Sequence, residues 1–109
     1  MASVSAINLF SLRPGVTAEQ FEQFSQELDR PTCLAFDEVE EFEVFLVEKA
    51  AGQSMDVIEI MTVTSWSDWV AVRDGAPELE PVVKKFDELV DTSTVTTYFT
   101  RRSPLIQEK

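Results

Sequence analysis

A chain of 109 residues, 44% hydrophobic and 27% charged, is long enough for one folded domain and too short for separate substrate and cofactor domains. Its net charge of −11 argues against nucleic-acid binding, because the nine Lys and Arg residues form no cluster that could neutralise phosphates. The absence of histidine excludes His-dependent triads and the most common zinc ligand.

The cysteine, glycine and acidic residues exclude several kinds of disulfide, metal and nucleotide site. Cys33 is the single cysteine, which excludes an intramolecular disulfide and a thiolate metal site. The three glycines form no phosphate-binding loop, and the acidic residues show no calcium-loop spacing, so we expect no cofactor and no metal. The apolar runs are strand-sized, and no basic region with a long apolar stretch marks the N-terminus. We therefore expect a cytoplasmic protein without a membrane segment.

The first predicted elements are a strand and a capped helix. Val4 to Leu12 predicts a strand, which ends at the turn residues 13–15. Thr17 and Gln20 have the spacing of a capping box at a helix N-terminus. Apolar residues then recur at helical spacing, and we expect Pro31 to end this helix.

The middle of the sequence predicts a β-hairpin. Val39 to Glu48 alternates so that Phe42, Val44 and Leu46 share one face of a strand. A short loop over 49–54 leads to an apolar strand over 55–64. We expect this strand to pair antiparallel with the preceding strand, Val39 to Glu48. The register stays open, because a one-residue slip would place Glu59 beside Phe42, Val44 and Leu46.

Two helical segments and a last strand complete the predicted fold. Ser65 caps a helix that breaks at residues 75–77, and a further helix spans 79–90. Thr94 to Arg101 predicts the last strand, and a tail begins at about residue 103. The order β-α-β-β-α-β predicts a single α+β domain over 1–109. Its fold is ferredoxin-like, with a four-stranded antiparallel sheet that carries helices on one face and has strands one and three at its centre.

Both faces of this predicted sheet are apolar. On strand three, Ile58 and Ile60 alternate with Val57, Met61 and Val63. Helices cover one face, and soluble monomers avoid exposing a large apolar patch on the other. We therefore expect a homodimer that closes sheet against sheet as a dimeric α/β barrel, with a pocket at each open face.

Glu59 is the strongest candidate for a catalytic residue, because a charge within an apolar strand is costly unless it is satisfied or used. If Ile58 and Ile60 face the helices, Glu59 points into the open-face pocket. Burial there raises a carboxyl pKa toward neutrality, which suits a general acid or base. We predict that Asn8 orients the substrate and that Tyr98 hydrogen-bonds a developing oxyanion.

A wall of apolar and acidic residues is predicted around these three side chains. The predicted substrate-binding residues are Phe10, Glu43, Phe45, Val57, Met61 and Trp66. A structural reading stays open for several of them: Glu43 would deter edge pairing, Trp66 would anchor the core, and Glu59 would form an intersubunit ion pair with Arg13 or Arg101.

Three segments resemble the RedY-like family, which is associated with prodigiosin-type pigment clusters. They are Ile7-Asn8-Leu9-Phe10-Ser11-Leu12-Arg13-Pro14-Gly15, the end of the capped helix at Asp29-Arg30-Pro31-Thr32, and Asp56-Val57-Ile58-Glu59-Ile60-Met61-Thr62-Val63-Thr64-Ser65. The resemblance implies a pocket for a hydrophobic aromatic or pyrrole-like intermediate. With the buried carboxylate, it leads us to expect cofactor-independent cyclisation, condensation or dehydration. A carrier protein for such an intermediate and a structural stress-responsive barrel dimer are the alternatives.

Overall fold

The computed structural model describes residues 3–49 and 53–105, and its elements follow the predicted order. The strands are β1 (Val4–Leu12), β2 (Val39–Leu46), β3 (Val57–Val63) and β4 (Val90–Thr100). The helices are α1 (Ala18–Phe24), α2 (Arg30–Leu34), α3 (Trp66–Gly75) and α4 (Glu80–Leu89), with a π turn at Ser25–Asp29 and a 3-10 turn at Pro77–Leu79. Residues 50–52 of the predicted loop and residues 106–109 of the predicted tail lie outside the described residues.

The four strands form one antiparallel sheet in the order β2-β3-β1-β4. The α+β class, the ferredoxin-like topology and the central position of β1 and β3 are therefore confirmed. β4 begins at Val90, four residues before the predicted Thr94. Its pairing with β1 is interrupted between Leu9 and Ser11, where the register shifts.

The predicted caps fix the starts of the first and third helices. The Gln20 N–H donates to Thr17 Oγ1 at 3.1 Å, and the Thr17 N–H donates back to Gln20 Oε1 at 2.8 Å, which completes the capping box. The Asp68 N–H donates to Ser65 Oγ at 3.4 Å at the start of α3. Local sequence therefore determines where these helices begin.

The first helix does not end at Pro31, as expected, but continues through the π turn into α2 and ends at Leu34. Proline lacks an N–H and clashes with the preceding turn of a regular α-helix. Here the preceding turn is widened: the Arg30 N–H donates to the carbonyl of Ser25, five residues earlier. Pro31 then stands at the start of α2, where a missing N–H is tolerated.

The core lies between the helices and one face of the sheet. Phe10 of β1 is at its centre, fully buried, with its ring edge-to-face against Phe21 at 5.6 Å and Phe86 at 5.3 Å between centroids. Trp69 and Leu79 cover the sheet from the C-terminal helices. This layer positions the candidate site described below.

The opposite sheet face, here called the open face, is also apolar. Leu9, Ile58 and Phe45 are cross-strand neighbours in one row, and Ile7, Ile60, Glu43 and Tyr98 form the next. Phe45 is 49% exposed and Tyr98 is 58% exposed.

Within the described residues, no helix has the length and apolarity needed to cross a membrane.

Candidate active site

Glu59 points toward the helices rather than toward the open face. Its cross-strand neighbours are Asn8 and Val44, and it shares its side of β3 with buried Val57 and Met61. The expected orientation was therefore wrong, and the alternative hairpin register is the observed one. Both parities of β3 are apolar, so hydrophobic alternation could not distinguish them.

A cavity of about 380 Å³ lies between the sheet and the helices, next to Glu59. It is lined by residues of the sheet, the first helix and both C-terminal helices. Its walls are mostly apolar and aromatic: Phe10, Phe42, Met61, Trp66, Trp69, Leu79, Val82, Val83, Phe86 and Val95. A wider groove of about 680 Å³ lies between α1 and α4, but no buried carboxyl group of the described residues lines it. The cavity beside Glu59 is therefore the candidate site.

A second buried carboxyl, Asp29, faces the same cavity and was missed by the sequence reasoning. Asp29 and Glu59 are each 5% exposed. The Cys33 thiol donates to Asp29 Oδ1 at 3.5 Å. Glu59 Oε2 is buried and has no hydrogen-bond partner among the described residues. The site thus contains two carboxyl groups, one of which presents an unsatisfied oxygen.

Burial raises the pKa of both carboxyl groups. The pKa of Glu59 lies well above its usual 4.5, because burial disfavours the charged form and the Asp29 charge adds to this, against a smaller opposing effect of Arg30. Burial also raises the pKa of Asp29 to about 6, although the Cys33 hydrogen bond and Arg30 act in the opposite direction. Burial thus favours the protonated form of both groups relative to an exposed carboxyl, and because their charges oppose each other they titrate as an interacting pair.

Arg30 is held by groups outside the cavity. Its Nε donates to Ser25 Oγ at 3.0 Å, and its Nη2 donates to Glu22 Oε1 at 3.2 Å. Among the described residues, no hydrogen bond or ion pair joins Arg30 to either buried carboxyl, so its effect on them is that of a nearby charge.

The π turn aligns Asp29 with the rest of the buried helix face. Phe21, Ser25, Asp29 and Cys33 are spaced four residues apart and are all buried. At 3.6 residues per turn, such a series drifts by about 40° at each step, and the wider π turn offsets this drift. The available sequence signal was this spacing of four, which ends at a cysteine, a residue type that is commonly buried.

Five of the predicted site residues line the cavity. These are Glu59, Asn8, Phe10, Met61 and Trp66. The side-chain oxygen of Asn8 accepts a hydrogen bond from the Thr97 hydroxyl at 2.6 Å, which fixes the orientation of its amide. Val57 is buried on the same side of the sheet, beyond the residues that line the cavity.

The remaining three predicted residues, Tyr98, Glu43 and Phe45, lie on the open face. The sheet separates them from Glu59, because alternate residues of a strand point to opposite faces. Tyr98 therefore cannot hydrogen-bond an oxyanion in this cavity. The orientation of Glu59 toward the helices also contradicts the alternative interpretation, an intersubunit ion pair, which required Glu59 to lie on the open face.

Comparison with known proteins identifies a family and a fold. A family described as REDY-like protein HapK matches residues 4–102. The crystal structure of HapK from Hahella chejuensis is 18% identical, with 97% of this chain and 98% of that chain covered and a TM-score of 0.78. No curated protein matches in sequence.

Two further solved structures share the architecture. A dimeric protein of unknown function with a ferredoxin-like fold from Bacteroides fragilis is 18% identical, covering 94% of this chain and 98% of that chain, with a TM-score of 0.68. A hydroxynitrile lyase from Passiflora edulis is 11% identical, covering 97% of this chain and 98% of that chain, with a TM-score of 0.71. At these identities the likeness shows the fold alone. The family match, in contrast, spans nearly the whole sequence, and the chain belongs to the REDY-like HapK family.

Proposed function

We propose that this protein is a cofactor-independent biosynthetic enzyme, which performs acid/base chemistry on a hydrophobic intermediate bound between the sheet and the helices. The observation that carries the proposal is Glu59, a buried carboxyl that lines an apolar cavity and whose Oε2 has no partner among the described residues. An unsatisfied buried polar atom is costly, and a catalytic role is one of the reasons for which proteins retain it.

Asp29 supplies the second group that such chemistry needs. Cyclisation, condensation and dehydration each require one proton to be removed and another to be donated. Two carboxyl groups with separated pKa values can take these roles in one site. In this proposal, Glu59 and Asp29 divide the acid and base roles between them, while Asn8 orients a polar group of the substrate.

The family supports a role in prodigiosin-like pigment or related aromatic alkaloid metabolism. The RedY-like resemblance points to a hydrophobic aromatic intermediate, and the aromatic wall of the cavity suits such a molecule. The hydroxynitrile lyase of the same fold supports the idea that this architecture can hold a catalytic site.

We further propose that the open face mediates homodimer formation. It exposes Phe45 and Tyr98 beside Ile58 and Ile60, an apolar surface that a second copy of the sheet would cover. The proteins of this fold that are described as dimeric support the same arrangement. The dimer would leave each cavity within its own protomer, on the other side of the sheet.

The test is Glu59→Gln, which preserves the shape of the side chain and removes its proton chemistry. Wild-type protein is incubated with intermediates of a prodigiosin-type pathway, and new product masses are sought. We expect Glu59→Gln to abolish the product while keeping the far-UV circular dichroism spectrum. The matched control is Glu43→Gln on the open face, which should remain active.

Full activity of Glu59→Gln would contradict the proposed mechanism. Binding of an intermediate by the wild-type protein without any new product mass would instead favour the carrier alternative, which uses the same cavity.

A further inference from the structure

The interior of the cavity contains acidic groups without a basic group in contact with them. Among its described lining residues, the basic side chain is Arg73, whose Nε donates to Asp74 Oδ1 at 3.2 Å. The side chains of both are substantially exposed, so this pair lies at the rim. Arg30 behind the cavity is held by Ser25 and Glu22. A ligand that reaches Glu59 and Asp29 therefore enters a site of negative charge.

The unsatisfied oxygen of Glu59 is suited to an N–H donor. Near it, the Asn8 oxygen accepts from Thr97, and Oδ1 of Asp29 accepts from Cys33. Glu59 Oε2 is the group that lacks a donor among the described residues. A ligand N–H would satisfy it and, if the ligand is charged, would form a charge-assisted bond, which is stronger than a neutral one.

The aromatic walls favour the same kind of ligand. Trp66, Trp69 and Phe86 line the cavity together with the two carboxyl groups. Indole and phenyl rings attract a cation that lies over their faces, and more so where water is excluded. Flat ligands also stack on such rings.

From these three observations we infer that the cavity selects an organic cation in which a protonated nitrogen, with at least one N–H, is attached to or part of a flat aromatic system. Protonated imines, amidines and aza-aromatic rings belong to this class. The inference rests on the cavity assigned under the proposed function and adds the charge of the molecule that it accepts.

Binding of such a cation should release a proton from the site. Glu59 is faced by Asp29, Arg30 and Cys33 of the first helix and, at the rim, by Arg73 and Asp74 of α3. The cation favours the ionised carboxylate, and burial holds the pKa of both carboxyl groups above the usual value, so binding shifts the pair toward ionisation and releases protons. Affinity for the cation should consequently rise with pH, whereas affinity for a neutral ligand of the same shape should not.

The test uses benzamidinium, benzamide and benzoate, which share a phenyl ring and differ in charge. Binding to the full chain is measured at pH 7 by isothermal titration calorimetry in two buffers of different ionisation enthalpy. We expect benzamidinium to bind about tenfold more tightly than benzamide, benzoate to bind most weakly, and the cation to release protons on binding. In Glu59→Gln the proton release should vanish and the cation preference should fall at least tenfold. Glu43→Gln should change neither.

Equal affinity for the three probes, or a preference for benzoate, would overturn the inference. If the cation preference is absent while Glu59→Gln still abolishes product formation, the cation inference is wrong and the proposed function stands. If the cation binds with proton release while Glu59→Gln remains fully active, the inference stands and the proposed catalytic role of Glu59 is wrong.

Discussion

Replacing Asp29 with Asn should stabilise the protein at neutral pH while removing its activity. Asp29 is 5% exposed and ionises at a cost, because burial raises its pKa from 3.8 to about 6. Asparagine has nearly the same shape and still offers an oxygen to the Cys33 thiol. It carries no charge that must be buried and cannot serve as a base.

The pKa gives the size of the expected effect. Each pKa unit corresponds to about 1.36 kcal/mol, so a rise from 3.8 to about 6 corresponds to about 3 kcal/mol. Since Asp29 binds its proton more tightly in the folded state than in the unfolded state, its contribution to stability is greatest below pH 3.8. It falls as the pH rises toward 6 and remains lowered above it. Asp29→Asn should therefore gain about 3 kcal/mol at pH 8 and close to nothing at pH 3.5.

Urea denaturation followed by tryptophan fluorescence measures this difference, because Trp69 is buried in the core. Wild type and Asp29→Asn are compared at pH 3.5 and pH 8 at one protein concentration. Asp87→Asn, an exposed substitution on α4, is the matched control and should change stability little at either pH.

Equal stability of Asp29→Asn and wild type at pH 8, or the same gain at both pH values, would refute this reasoning. Either result would mean that the folded state does not pay an ionisation cost at Asp29. Removal of the Asp29 charge should also lower the pKa of Glu59, which carboxyl infrared bands of an isotope-labelled sample would detect.

Three further substitutions test the open face, a surface carboxylate and a cap. If the proposed dimer forms, Phe45→Lys should convert it to a monomer in sedimentation velocity runs, whereas Leu34→Lys, similarly exposed on α2, should not. A dimeric Phe45→Lys would contradict the proposed interface. Burial alone would raise the pKa of Asp56, but hydrogen bonds from Lys49 and a backbone N–H lower it. The ionised form therefore stabilises the fold, and Asp56→Asn should lower the free energy of unfolding in urea by about 1 kcal/mol at pH 7 and by less at pH 3. Thr17→Ala should cost about 1 kcal/mol at any pH, and no loss would mean that the capping box is energetically neutral.

Local sequence determined most of the fold because its signals act over a few residues. The capping box at Thr17, the cap at Ser65 and the break after Gly75 each fix an element boundary through contacts within one turn. The strand spacing then leaves few ways to order four strands and their helices. Pro31 is the exception, because a proline within a helical pattern predicts a helix end, whereas the widened π turn before it accommodates the residue.

The face of the sheet that carries the site was decided only by tertiary structure. Val57 and Met61 compete with Ile58 and Ile60 as core residues, and both sets are apolar enough to be buried. The choice depends on how the hairpin pairs and on which set packs against Phe10 and the helices, neither of which is written in the alternation of β3.

The sequence by itself identified Glu59 as anomalous, since a carboxylate in an apolar strand is conspicuous without any structure. Tertiary structure decided its surroundings: the side of the sheet, the cavity and the second carboxyl, Asp29. Asp29 lies 30 residues away in sequence, on a helix whose π turn rotates it inward. Such a pairing depends on the packing of two elements in space, and residue spacing along one strand carries no information about it.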